Sequence, residues 1–187
     1  TFYYTFFGTV GAIVFGILSA QMVNQNFRGR SFIRSTLLFP YVAPVVALAF
    51  TWELLLDPNS GTLNNLLLNY NIIDKPINLL GQKYVSIFVF GFEFKLRLAL
   101  TTVIIFEIWR YFPLAFLFIL ARLQAVPKEL YEAADIDGAG PYTKFMNITL
   151  PQITAVISIL FMIRFIWNFN KFEDIFLLTG GASGTRT

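Results

Sequence analysis

Four long apolar runs constrain this chain more than anything else in it: Phe2–Val23, Thr36–Leu56, Leu98–Leu120 and Gln152–Trp167. A helix of about 20 apolar residues crosses the ~30 Å hydrocarbon core of a bilayer. Only helices and closed barrels do so without stranding backbone polar groups. The runs therefore predict an all-α, polytopic membrane bundle. Composition agrees: 56% of the 187 residues are hydrophobic and 13% are charged, where soluble domains average about 25% charged.

The details within the runs are those of packed membrane helices. Gly8, Ala12, Gly16 and Ala20 recur every four residues in the first run and make a stripe of small residues, which lets two helices approach closely. Arg28, Arg30 and Arg34 then fall between Asn24 and Ser35 with no acid among them, the mark of a short cytoplasmic loop. Gly29 and the short length argue against an amphipathic surface helix there. Pro40 and Pro44 predict a bent or locally broken second span, and Trp52 suits the aromatic belt at its far end.

Residues 57–97 are expected outside the membrane. Asp57-Pro58-Asn59-Ser60-Gly61 reads as a turn. Leu63, Leu66, Leu67 and Tyr70 fit one face of a short helix on the bilayer surface, with Asn64, Asn65 and Asn69 towards water. Phe92–Arg97 alternates with period two, a strand pattern. It is placed outside the bilayer, as a strand or as a helical entry turn, because an open strand edge is not tolerated in lipid. Lys75, Lys83, Lys95 and Arg97 run against the positive-inside pattern, but over a longer segment where the rule is weaker.

The third span carries Glu107 and Arg110, three apart and so on one helix face. They line a pathway or lock two helices together, and Pro113 predicts a kink one turn later. The fourth span carries Arg164 and leads into the polar stretch Asn168–Asp174.

Much chemistry is excluded. The chain has no Cys and no His, so thiol nucleophiles, disulfides and His-ligated metals are absent. No Gly-x4-Gly-Lys-Ser/Thr pattern occurs, which removes that route to ATP. No catalytic residue and no metal site is assigned. The net charge of +3 is carried mostly at the ends of apolar runs and predicts no nucleic-acid partner. Thr1 lies in an apolar stretch with no basic leader, and Gly180–Thr187 is a loop. Residues 1–187 are thus read as one transmembrane domain from within a longer protein.

Between the third and fourth spans lies a polar island, Val126–Pro151. Pro127 suits the first helical position, Glu129 and Glu132 favour the helix N-terminal end, and Gly138 falls where a left-handed C-cap belongs. Pro141 starts a second helical turn. Glu132-Ala133-Ala134, three residues, Gly138, nine residues, then Ile148-x-Leu150-Pro151 resembles the EAA loop of binding-protein-dependent ATP-binding-cassette (ABC) importers.

The likeness extends along the chain. Asn26–Arg34 before Leu38-Phe39-Pro40-Tyr41-Val42-Ala43-Pro44 resembles the basic loop and following helix of carbohydrate-type permeases, as does Ile108–Pro113. Trp167–Glu173 with Leu178-Thr179-Gly180-Gly181 resembles the first of the two permeases of maltose- and glycerol-3-phosphate-type systems. Two departures, Ala182-Ser183 and the longer stretch Ser86–Arg97, bear on substrate rather than class.

The resemblance implies a type I importer permease fold, with four spans here of a six-helix core in a prokaryotic cytoplasmic (inner) membrane. It implies a cytoplasmic coupling loop at 122–151, in which Glu132, Ala133, Ala134, Asp137, Gly138, Ile148, Leu150 and Pro151 engage the ATPase. Glu107, Arg110, Tyr111, Arg164, Asn168 and Asn170 are the substrate-pathway candidates. It implies a second homologous permease, two ATPase subunits that hold the ATP and Mg, a soluble binding protein and surrounding membrane lipid, with no cofactor on this chain. The cargo would be a sugar, a polyol or a glycerol phosphate.

Two other readings compete. An ion-coupled secondary transporter needs intramembrane carboxylates or broken helices, and Glu107 is the only acid deep in a span. A non-transport membrane assembly protein predicts neither intramembrane charges nor a formed helix pair in the polar island. A membrane enzyme is more distant still, since no nucleophile–base pair or metal cluster occurs.

Overall fold

The computed structural model describes residues 1–25, 27–81, 85–89, 92–170 and 176–178, with 85–89 and 92–96 described by their backbone. Eight helices appear in these residues: α1 (Phe2–Asn24), α2 (Arg30–Val42), α3 (Val45–Leu56), α4 (Thr62–Asn69), α5 (Leu98–Gln124), α6 (Lys128–Ile136), α7 (Pro141–Lys144) and α8 (Leu150–Asn170). A π-helical turn, Phe145–Thr149, joins α7 to α8. Three continuous helical stretches, 2–24, 98–124 and 141–170, are long and apolar enough to cross a membrane, and α2 with α3 makes a fourth if counted as one interrupted span. The all-α polytopic class holds, with one addition. Strands β1 (Val85–Val89) and β2 (Phe92–Leu96) form an antiparallel hairpin in which Val85 faces Leu96 and Val89 faces Phe92. The period-two alternation thus marks a strand and not a helical entry turn.

The expected break in the second span is found, between Val42 and Val45, and the expectation of a basic loop is corrected. Helix begins already at Arg30, so Arg30–Ser35 is the first part of α2 and not a loop. Gly29, whose φ is +92°, ends the connection instead of preventing the helix. The helix runs through Pro40 and stops at Val42, and α3 starts after Pro44. Pro44 is the N-cap of α3, where its missing N–H is harmless. Pro113 lies inside α5, which continues to Gln124.

The described residues divide into two compact units, 1–42 with 108–169 and 43–107 with 170–187. The first has a core of Ile13, Ala20, Phe112, Phe116, Ile119 and Ile153 with their neighbours. The small-residue stripe works as expected: Gly8, Ala12, Gly16 and Ala20 are all buried. At Gly16 the approach leaves no room for a side chain, since a Cβ there would lie 2.6 Å from the Ala115 Cβ and 2.9 Å from the Phe116 nitrogen. Arg34 donates a hydrogen bond to the Val23 carbonyl at 3.3 Å, placing a cation on the C-terminal end of α1, where the helix dipole favours it.

In the second unit, the turn at Asp57 is closed by its own side chain. Oδ1 accepts from Asn59 N at 2.9 Å, Ser60 N at 2.8 Å and Ser60 Oγ at 2.9 Å. These donors, Ser60 first, hold the Asp57 carboxyl below its ordinary value. Because the folded-state pKa is lowered, this contribution is present at neutral pH and lost as pH falls through that lowered value.

The face assignment of α4 needs correcting at one residue. Asn64 is buried, while Leu63 and Leu66 are exposed. The Asn64 amide clasps the segment that follows: Oδ1 accepts from Ile77 N at 3.0 Å, and Nδ2 donates to Ile77 O at 3.0 Å and Asp57 O at 3.4 Å. Period-based reading sends an Asn to water because it cannot see an acceptor thirteen residues on. Asn64→Ala is expected to cost about 2 kcal/mol by leaving the Ile77 groups unpaired, read as faster proteolysis between Tyr70 and Gly81 with the membrane helices intact.

Candidate functional site

The polar island folds as its sequence directs. Pro127 is the N-cap of α6, one position earlier than expected, and Glu129 lies in the first turn. Gly138 has φ +72°. Ala139 N donates to Ala134 O at 2.8 Å and Gly138 N to Asp135 O at 3.1 Å, the paired bonds of a Schellman closure. Gly140 caps α7 and Pro141 takes its first position.

The helix is closed but uncovered, with no buried residue anywhere in α6. Glu132, Ala133, Asp137 and Gly138 are exposed, Ala134 is half-buried, and beyond them Ile148 and Leu150 are half-buried with Pro151 exposed. Ile136 is 88% exposed and Tyr142 73%, unusual for large apolar side chains in a polar segment. A Cβ built on Gly138 meets nothing within 4 Å.

Polar contacts anchor the segment. Arg122, in the last turn of α5, donates through Nε to Gln152 O at 3.0 Å and through a terminal nitrogen to Gln152 Oε1 at 2.7 Å. Tyr131 Oη and Thr149 Oγ1 are 3.0 Å apart. Lys144 pairs with Asp135. The π turn follows from Pro151, which offers no N–H to the carbonyl four residues back; Leu150 N bonds Phe145 O, five residues back. A groove of about 640 Å³ runs beside this joint, lined by Leu18, Gln21 and Asn24 of α1 and by Tyr131, Phe145 and Thr149.

A second polar cluster lies in the same unit. Arg164 is 2% exposed, with its guanidinium 4.1 Å above the Tyr111 ring; that of Arg110 lies 4.9 Å from the same ring. Tyr41 meets Tyr111 edge-on at 6.1 Å. Asn168 is fully buried and its Nδ2 donates to Thr9 Oγ1 at 3.3 Å. Of the pathway candidates, Tyr111, Arg110 and Arg164 thus share one ring, and Asn168 stands on α8 one turn beyond Arg164. Glu107 is fully buried and belongs to the second unit, as does the exposed Asn170. Lys171–Asp174 and Thr179–Thr187, which carry part of the C-terminal resemblance, lie outside the described residues. Sequence reading missed Thr9, Tyr41, Arg122, Tyr131, Thr149 and Gln152. Only Arg122, a cation in a last helical turn, carried a local signal.

Residues 12–185 match the model of the family described as "Binding-protein-dependent transport system inner membrane component". The chain belongs to that family. It is 37% identical over 179 residues to the inner membrane ABC transporter permease protein YcjO of Escherichia coli (strain K12), covering 96% of this chain and 57% of that protein. It is 33% identical over 174 residues to the trehalose/maltose transport system permease protein MalF of Thermococcus litoralis, covering 93% and 54%. To the sn-glycerol-3-phosphate transport system permease protein UgpA of Yersinia pestis it is 36% identical over 175 residues, covering 92% and 53%. The chain therefore spans a little over half the length of these relatives. A solved bacterial ABC transporter involved in the import of the acidic polysaccharide alginate shares the fold at a TM-score of 0.71 and 21% identity, over 94% of this chain and 62% of that one. Membership in this inner membrane family makes the chain a multi-pass transport component and not an enzyme.

Proposed function

We propose that this chain is the core of the first permease subunit of an ATP-driven importer, and that α6 is the element through which a separate ATPase moves it. The observation that carries the reading is a helix with a Schellman closure at its C-terminal end that has no fully buried residue and presents Ile136 outward, with an equally exposed Tyr142 following on α7. A surface of that kind is completed by a partner. Glu132, Ala133 and Ala134 give the docking helix one acidic and two small side chains, and Gly138 adds none at its end. ATP and Mg are held by the ATPase pair, a second homologous permease completes the pathway, and a soluble binding protein delivers the cargo from outside.

The cargo is a sugar, a polyol or a glycerol phosphate. Relatives named for trehalose/maltose and sn-glycerol-3-phosphate support that range. So does the set of half-buried Tyr111 with buried Arg164 and Asn168, which offers an aromatic face, a cation and an amide to a hydroxylated or anionic solute. Glu107, Arg110 and Asn170 complete the pathway candidates.

The test is reconstitution of the full-length subunit with its companion permease, ATPases and binding protein in proteoliposomes. ATP hydrolysis is followed across maltose, trehalose, glycerol and sn-glycerol-3-phosphate. Uptake that needs ATP and the binding protein, with hydrolysis stimulated by one of these solutes, is the expected result. Uptake driven by an ion gradient without ATP would favour the secondary transporter instead.

A further inference from the structure

A helix with no fully buried residue, only Tyr131 and Ala134 being half-buried, takes little of its orientation from apolar packing, so polar contacts must help to set the angle of α6. The described contacts offer two candidates, the Lys144–Asp135 ion pair and the hydrogen bond between Tyr131 and Thr149. The ion pair is solvent-exposed on the Asp135 side, where water and salt screen it. The hydrogen bond is different. Thr149 is 6% exposed, it sits at the last position of the π turn, and its hydroxyl also lies 3.4 Å from the Lys144 carbonyl. Directly behind it, Arg122 holds Gln152 through two bonds, 3.0 and 2.7 Å long, and fixes the end of α5 to the start of α8. The base of the segment is therefore clamped, and Tyr131 joins the helix above to that base at a place where the backbone departs from α-helical bonding. Such π turns recur at functional sites. The groove beside the joint leaves Tyr131 and Phe145 room to move.

We infer that Tyr131 and Thr149 are a latch that sets the angle of α6, with the π turn Phe145–Thr149 as the hinge on which it rocks. They are positioning residues, acting on the ATPase through α6 without touching nucleotide. With the bond made, displacement of α6 is passed to α8 and α5; with it broken, the helix turns on the hinge and the membrane helices stay behind. This rests on the reading that α6 docks on the ATPase.

Residues 1–187 hold no cysteine, so in a complex whose other cysteines are replaced, spin labels at Glu129→Cys on α6, away from the docking surface, and Ala121→Cys on α5 report the angle directly. Tyr131→Phe and Thr149→Val each remove the bond with little change in volume. Each is expected to broaden the label-to-label distance distribution. Each should also lower the stimulation of ATP hydrolysis by the binding protein by about fivefold or more, the lower range of coupling between linked sites, while the ATPase subunits still copurify. The double variant should be no worse than either single one, and Thr149→Ser, which keeps the hydroxyl, should restore both readouts. A distribution and a stimulation unchanged in Tyr131→Phe would overturn the latch, as would a Thr149→Ser variant that behaves like Thr149→Val. Gly138→Leu in the same assays separates the two readings. If it uncouples while Tyr131→Phe does not, the latch alone fails. If it too is unchanged, docking through α6 fails and takes the latch with it.

Discussion

Gly138→Leu should abolish transport and binding-protein-stimulated ATP hydrolysis while leaving membrane insertion intact. Two effects of the substitution are separable. A branched side chain at φ +72° costs about 1–2 kcal/mol in backbone strain, acting on the Schellman closure. The second effect falls on the proposed partner, because no described residue lies within 4 Å of a Cβ at Gly138. Asn tolerates the left-handed conformation far better than other residues, so Gly138→Asn isolates the second effect. The expected order of damage is Leu above Asn above glycine in copurification of the ATPase and in transport. Wild-type transport by Gly138→Leu would remove α6 as the coupling element.

Gly16→Leu should prevent the first unit from packing at all. Even a methyl group would stand 2.6 Å from the Ala115 Cβ and 2.9 Å from a backbone nitrogen. Backbone cannot swing aside as a side-chain tip can, so the helices must separate. Overpacking costs typically 1–3 kcal/mol per insertion, and a leucine against backbone should exceed about 3 kcal/mol. Gly16→Ala is the graded probe. Ala115→Gly should rescue part of its loss by removing one of the two clashes, while the Phe116 nitrogen keeps the rest. Detergent unfolding temperatures of the single and double variants measure this. Full stability of Gly16→Ala would mean that α1 and α5 do not approach so closely.

The sequence made the helices legible wherever a rule is local. Apolar length marks α1, α5 and α8, period two marks β2, and the spacing from Pro127 to Gly138 marks α6 with its closure. What it hid was non-local pairing. Asn64 looked solvent-facing because its partner Ile77 lies beyond a turn. Arg34 read as one more cytoplasmic cation, although it also caps α1. Tyr131 and Thr149 are eighteen residues apart, and no periodicity links them. Gly29 misled for a related reason: glycine breaks a helix when it falls within one, but it equally supplies the positive φ from which the next helix starts. In the polar cluster around Tyr111, Arg164 and Asn168 could be flagged because polar groups in a span are costly. That they stand with Tyr111 and Thr9 could be seen only once the helices were packed.

The clasp of Arg122 on Gln152 joins residues thirty apart and encloses α6, α7 and the π turn between its ends. The polar contacts that shape the enclosed stretch, Tyr131 with Thr149 and Lys144 with Asp135, join residues inside it, while α1 lines the groove beside it. If α6 docks on an ATPase as proposed, such a stretch can diverge as a cassette, its outward face following changes in that partner without disturbing the membrane helices. One permease lineage could thereby keep its solute and exchange its engine, or keep its engine and change its solute.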